Sequence, residues 1–176
     1  MRKDRAQAHL VVGFRGLTLH DPDRFALEVI AQLLAGQGGR LFLELRDRRG
    51  LAYAVNAMNI EGLAPGLFAV YVATSPEKLD ESKQAIFAEL RTLLDSAPPE
   101  GELDRARRYL AGNFEIDRQR AAARAAHMAA DARYGLGPDE QRRYAAQVEA
   151  VDAEAVLRVA RRIVDLDAYT LAVIRP

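Results

Sequence analysis

The 176-residue chain has the length of one ordinary domain, and its 49% apolar but only 7% aromatic composition predicts a core of Leu, Val, Ile and Ala. Because 25 basic residues balance 25 acidic ones, the net charge gives no reason to expect binding to nucleic acid or to an anionic membrane. The absence of Cys excludes disulfides, thiolate catalysis and cysteine metal sites.

The N-terminal segment MRKDRAQAHLVVGF lacks both the apolar run and the small-residue cleavage site of a signal peptide. It is typical of the inside of a longer sequence. If Met1 is nevertheless the true N-terminus, we expect a cytoplasmic protein. The run HLVVGFRG at residues 9–16 is apolar and closed by glycine, which predicts a buried strand.

The first helix is predicted to start at Asp21-Pro22, because Asp is a good N-cap and Pro suits the first helical position. Phe25, Val29 and Leu33 then recur at helical spacing and define an apolar face. Gly36 is expected to end this helix in the left-handed conformation that closes many helices.

After Gly38-Gly39, a short helix is predicted over residues 40–49 and is ended by Gly50. Residues 52–60 and 67–74 are strand-like and are separated by EGLAPG, in which Pro65-Gly66 is strong turn chemistry. These two runs predict an antiparallel hairpin.

The rest of the chain is mostly helical. A helix is expected to open at Ser75-Pro76-Glu77 and to end at Pro98-Pro99. The later predicted elements are a helical tract over residues 100–134 that divides or bends near Gln119, a short helix over 139–148, a helix capped by Asp152 and a closing strand over 168–174.

This order excludes a doubly wound parallel sheet, because the central hairpin is antiparallel and the helices cluster after it. It predicts an α+β fold, with a mainly antiparallel four-stranded sheet and helices packed mostly on one face. No linker or internal repeat divides the chain, so we expect a single α+β domain over residues 1–176. The alanine-rich helix near residues 121–134 is either an ordinary core helix or a surface that meets a neighbouring domain.

The sequence lacks the residue patterns of most common catalytic sites. The histidines His9, His20 and His127 stand in no recognisable zinc-ligand spacing, so we predict no metal site in this chain. No G-x-S-x-G elbow is present, and the glycines of AGQGGR match neither the dinucleotide fingerprint nor the phosphate loop.

Polar chemistry is instead concentrated in AGQGGRLFLELRDRRGLAY at residues 35–53. Arg46 offers a planar fork of donors for a peptide carbonyl or carboxylate, and the phenol of Tyr53 can donate to a developing oxyanion. Gly50 lets the chain double back between them. The structural alternative is a surface arginine paired with Glu44 or Asp47, beside a half-buried tyrosine that fills the sheet.

The strand HLVVGFRGL, the helix DPDRFALEVIAQLLAG and the run GGRLFLELRDRRGLAYAV together resemble the second half of the insulinase or pitrilysin family of zinc metallopeptidases. This family includes mitochondrial processing peptidase and the core proteins of respiratory complex III. The later helices and the closing strand fit the family's repeated α+β unit, the processing-peptidase-like repeat, so the resemblance covers nearly the whole chain.

The resemblance implies a two-half enzyme in which an N-terminal half carries zinc on an H-x-x-E-H helix and this half closes the peptide chamber. It implies that Arg46 and Tyr53 reach the substrate and the scissile carbonyl, and that Gly36, Gly38 and Gly39 contact the substrate. This chain contains no H-x-x-E-H. We therefore expect it to be inactive alone, with zinc and the general base supplied by a partner half on the same chain or on a separate subunit.

Two other functions remain open at this point. One is a non-catalytic structural or peptide-binding subunit of the same family. The other is nucleic-acid binding, prompted by the basic runs RDRR at 46–49, RARR at 105–108 and RQRAAAR at 118–124. Zero net charge and the lack of strand aromatics arranged for base stacking count against the second function, so we expect neither nucleic acid nor a membrane as a partner.

Overall fold

The computed structural model describes residues 7–137 and 139–176. Within it, four strands form one antiparallel sheet: β1 (Ala8–Arg15), β2 (Ala52–Ile60), β3 (Leu67–Thr74) and β4 (Thr170–Ile174). Their spatial order is β2-β3-β1-β4. The predicted hairpin is therefore confirmed as β2-β3, and the first and last strands of the chain pair beside it.

Six α-helices accompany the sheet: α1 (Arg24–Ala35), α2 (Leu79–Asp95), α3 (Glu100–Asp117), α4 (Ala121–Tyr134), α5 (Glu140–Glu149) and α6 (Ala153–Ile163). A π-helix (Phe42–Arg48) precedes β2, and a 3₁₀ turn (Pro76–Lys78) leads into α2. The predicted α+β class is confirmed. None of the described helices is long and apolar enough to cross a membrane.

The core lies between one face of the sheet and the helices. In β1, the alternate residues Leu10, Val12 and Phe14 are buried, and the ring of Phe14 lies 6.3 Å from that of Phe68 on β3. This alternation is what a sheet with one covered face requires. His9 lies on the opposite face, where it remains partly exposed and hydrogen-bonds the hydroxyl of Tyr71 at 2.9 Å.

The first helix starts two residues later than its Asp-Pro signal predicts. The N-cap position is Asp23, and the carboxylate of Asp21 instead accepts the backbone N–H of Asp23 at 2.9 Å. Arg162 of α6 donates a hydrogen bond to the other oxygen of Asp21 at 2.7 Å. Arg158 makes a bidentate contact with the carboxylate of Asp23, with hydrogen bonds of 2.7 and 2.9 Å. Hydrogen bonding to Arg158 lowers the pKa of Asp23. Both carboxylates thus join α1 to α6 instead of capping α1.

The long helical tract divides as predicted, because the chain leaves helical geometry between α3 and α4 at residues 118–120. No residue of α4 is buried. The interpretation of α4 as an ordinary core helix is therefore wrong. Its small alanine side chains lie at the surface, where they leave room for a close-packed neighbour.

Candidate functional site

Residues 36–39 follow α1 and form what we call the glycine turn. Arg46 lies in the π-helix that comes after this turn. The wide turn is shown by the hydrogen bond from the Arg49 N–H to the Glu44 carbonyl, at 3.1 Å across five residues. Leu45 is completely buried and anchors the turn, whereas Arg46 is exposed. Its guanidinium lies 5.0 Å from the ring centre of Phe42. Such π-turns are rare and are frequent at functional sites.

Tyr53 lies at a β-bulge at the start of β2. Ala52 pairs with Thr74 and Ala54 with Ala73, which leaves Tyr53 as the extra residue. A bulge of this kind re-aims a side chain, and that of Tyr53 is 59% exposed. The predicted reversal at Gly50 is found: its φ of 57° is left-handed, which glycine adopts at little cost.

A hydrogen bond of 2.6 Å from the N–H of Leu51, the residue before β2, to the Leu45 carbonyl holds the start of β2 against the π-helix. Arg46 and Tyr53 therefore project from two adjacent elements, although no hydrogen bond connects their side chains. Neither part of the structural alternative is found in the described chain. Glu44 pairs with Arg48 at 3.4 Å and not with Arg46, and Tyr53 does not fill the sheet.

The glycine turn differs in detail from its prediction. Gly36 follows α1 with φ −60° and ψ 164°, so its backbone is extended and the expected left-handed stop is wrong. The left-handed residue is Gly38, with φ 88°. At Gly39 a Cβ would lie 2.8 Å from the backbone of Leu34, because the turn folds tightly back against the end of α1.

Replacing Gly39 with Ala is expected to lower the free energy of unfolding by about 1–3 kcal/mol, because the backbone of Leu34 would have to move. Gly101→Ala in α3 is the matched control, since no atom lies within 4 Å of a Cβ there and alanine favours helix by roughly 0.5–1 kcal/mol. Urea unfolding of both variants measures the difference. Equal stability of Gly39→Ala and wild type would contradict the tight turn.

Behind the glycine turn, Arg40 anchors the start of the π-helix to α3. Its guanidinium donates two hydrogen bonds of 2.8 Å to the carboxylate of Glu102. Only 13% of the Arg40 side chain and 16% of the Glu102 side chain are exposed. Hydrogen bonding to Glu102 raises the pKa of Arg40. This pair connects two segments 62 residues apart and was not predicted from the sequence.

A second feature missed from the sequence is a polar cleft of about 670 Å³ between α1, β2 and α3. Its polar lining consists of Glu28, Gln32, Gln37, Asn56, Asn59, Glu61 and Tyr109. Gly36 also lines the cleft, so the cleft adjoins the glycine turn. The sequence signal for this cleft was the pair of asparagines within β2, Asn56 and Asn59, because strands seldom contain asparagine.

The histidines do not form a metal site. No group of three or more His, Cys, Asp or Glu residues suited to a metal ion occurs in residues 7–137 and 139–176. His127 faces Asp117 at 3.5 Å, while Asp131 accepts a hydrogen bond from Gln141 at 2.8 Å. The described residues offer no set of three protein ligands of the kind that a resident zinc ion requires.

The basic runs are largely neutralised by neighbouring carboxylates. The ion pairs in these runs are Arg48–Glu44, Arg49–Glu81, Arg107–Glu100, Arg108–Asp104, Arg118–Glu115 and Arg120–Asp117. A nucleic-acid interface instead needs arginines that are free to contact phosphates. The pairing of these arginines with carboxylates favours an ordinary solvated surface over a nucleic-acid interface at these positions.

The fold and the candidate site define a class of protein: an α+β domain that presents an arginine and a tyrosine beside a glycine turn and holds no metal group in its described residues. Residues 1–110 match the model of the family described as "Peptidase M16 inactive domain". The chain belongs to this family, which confirms the family suggested by its sequence.

Similar proteins agree with this assignment. The chain is 28% identical over its full length to a Rickettsia bellii protein named "Uncharacterized zinc protease", of which it covers 43%. It is likewise 28% identical over 99% of its length to a Mycobacterium bovis protein of that description, of which it covers 40%. The chain thus spans less than half the length of these relatives, whose names associate zinc with the family.

Solved structures share the fold at low sequence identity. A protease from Helicobacter pylori aligns with a TM-score of 0.86 and 19% identity over 99% of this chain and 42% of its own. An inactive peptidase domain from Bordetella parapertussis gives a TM-score of 0.86 and 20% identity, with 100% of this chain and 94% of its own covered. The fold therefore occurs both within a longer chain and as nearly all of a solved chain.

Proposed function

We propose that this chain is the non-zinc-binding half of a two-half zinc metalloendopeptidase, in which it closes the peptide chamber and binds substrate through Arg46 and Tyr53. The observation that carries the proposal is the pair of exposed side chains on the π-helix and the adjacent bulge, in a member of the M16 inactive-domain family. The relatives are more than twice as long as the residues matched to them, which leaves room for a partner half.

In this arrangement, the metal and the general base belong to the partner half, where zinc would polarise the scissile carbonyl. Tyr53 donates its phenolic O–H to the oxygen on which negative charge develops, and this bond strengthens as the tetrahedral intermediate forms. Arg46 presents its planar fork to a backbone carbonyl or carboxylate of the peptide. Gly36, Gly38 and Gly39 contact the peptide through the backbone of the turn. A Cβ at Gly36 or Gly39 would meet Gln32 or the Leu34 backbone, so these two glycines keep the turn tight, whereas at Gly38 the nearest atom to a Cβ is 3.8 Å away.

The Arg46 role is tested by steady-state kinetics of the assembled enzyme, that is, this chain with its zinc-binding half. Arg46→Lys keeps the charge but loses the fork, and we expect KM to rise about tenfold with kcat little changed, as for a lost charge-assisted hydrogen bond. Arg49→Lys is the matched control, because Arg49 already pairs with Glu81 at 2.6 Å. An unchanged KM in both Arg46→Lys and Arg46→Met would refute substrate binding by Arg46.

A further inference from the structure

The polar cleft carries surplus negative charge. Its charged lining residues are Glu28 and Glu61, and no Lys or Arg is among its lining residues. Arg24 is not a lining residue of the cleft, but its guanidinium pairs with Glu61 at 3.4 Å and also with Glu140. Arg143 also pairs with Glu140 at 3.1 Å, so Arg24 and Arg143 together face the three carboxylates of Glu28, Glu61 and Glu140. Burial raises the pKa of Glu28 and the charge of Arg24 only partly offsets that rise, and no ion pair with Glu28 is found among the described residues.

Glu28 is held by a single donor. The Tyr144 hydroxyl of α5 donates to one carboxylate oxygen of Glu28 at 2.5 Å, and no donor to the other oxygen is found in the described residues. Burial raises the pKa of Glu28, and it also raises that of Glu61. A cation that entered the cleft would offset this penalty, since an opposite charge favours the ionised carboxylate.

The rest of the lining also suits a donor-rich ligand. Asn56 and Asn59 of β2 and Gln32 and Gln37 near the end of α1 provide amide oxygens that accept hydrogen bonds. The volume of the cleft, about 670 Å³, lies in the range typical of small-molecule binding sites. Its two carboxylates are too few to hold a metal ion. An organic cation with several N–H donors fits this lining.

We infer that the polar cleft binds a basic side chain, arginine or lysine, of the peptide substrate, with Glu28 as its principal counter-charge and Glu61 beside it. The identity of the ligand as a peptide rests on the proposed function, because the cleft adjoins the glycine turn that we propose to guide the substrate. The cleft would then determine specificity at one substrate position.

The direct test is ¹⁵N nuclear magnetic resonance of the 176-residue chain, titrated with a capped pentapeptide that has one arginine among alanines. The comparison ligand has citrulline in place of arginine, so that only the charge and its donors change. We expect the arginine peptide to shift the side-chain amide signals of Asn56, Asn59, Gln32 and Gln37 and to bind at least about tenfold more tightly than the citrulline peptide.

Glu28→Gln keeps the size of the side chain and should reduce this preference to near unity, and Glu61→Gln should weaken it. Glu154→Gln is the control, because Glu154 is exposed on α6. Equal affinity for both peptides, shifts elsewhere only, no binding, or a preference that survives Glu28→Gln would each overturn the inference. The spectra also show whether each variant is folded. The titration involves neither zinc nor turnover, so its failure is distinct from failure of the proposed catalytic roles.

Discussion

Replacing Tyr53 with Phe is expected to lower the turnover of the assembled peptidase by about 10²–10³-fold, the cost typical of losing one oxyanion donor. The change removes a single hydroxyl from a side chain that is 59% exposed and lies outside the core, so the fold should be unaffected. Zinc content should also be unaffected, because we propose that the metal is held by the other half. Steady-state kinetics and metal analysis of the same preparation measure both quantities.

Tyr134→Phe is a matched control for this experiment. Tyr134 is also an exposed tyrosine, but it ends α4, far along the chain from the π-helix and the bulge. We expect turnover of Tyr134→Phe to equal that of wild type. Wild-type turnover in Tyr53→Phe would remove the catalytic role of Tyr53, whereas a parallel loss of zinc would point to a structural effect.

The ion pair behind the glycine turn predicts the second large effect. Arg40→Met should lower the free energy of unfolding by about 2 kcal/mol, because it leaves Glu102 poorly solvated without a partner. This value is set below the roughly 3–5 kcal/mol of fully buried pairs, since 13% and 16% of the two side chains remain exposed. Urea unfolding at neutral pH measures the loss.

The double variant Arg40→Met/Glu102→Leu distinguishes loss of the pair from loss of packing. Replacing both partners with apolar residues removes the stranded carboxylate, so the double variant should recover most of the stability lost in Arg40→Met. A single variant within about 0.5 kcal/mol of wild type would show that the pair contributes little to stability. In the assembled enzyme, loosening this anchor should also raise KM, because Arg40 fixes the start of the π-helix.

Local signals were sufficient for most of the fold. The bounds of β2 and β3 match their predicted ranges, because two strand-like runs flank an unambiguous Pro65-Gly66 turn. Asp152 caps α6 as predicted, with its carboxylate accepting the Ala155 N–H at 2.7 Å. In these elements, the determinants of structure lie within a few residues of one another.

The errors arose where distant residues determine the local structure. Asp21 has the chemistry of an N-cap, but Arg162, 141 residues away, binds its carboxylate and the helix begins later. The lining of the polar cleft likewise depends on the contact between Glu28 and Tyr144 across 116 residues. No spacing rule can reveal such pairs in a single sequence, because they depend on how α1 packs against α5 and α6.

In the candidate site, too, the features set by neighbouring residues were predicted and the three-dimensional arrangement was not. Arg46, Tyr53 and the glycine turn were predicted because they fall within one short run of residues. The sequence did not predict that the run forms a π-helix followed by a bulge, which leaves both side chains exposed. Their proposed roles depend on a partner half that carries the metal.

The most direct test of the central claim is reconstitution. This chain, a zinc-binding half bearing H-x-x-E-H, and a mixture of the two are assayed for zinc content and for cleavage of a fluorogenic peptide. We predict stoichiometric zinc only where the second half is present, and cleavage only in the mixture. Cleavage by this chain alone, a tightly bound equivalent of zinc in it, or full activity of the zinc-binding half without it would contradict the account.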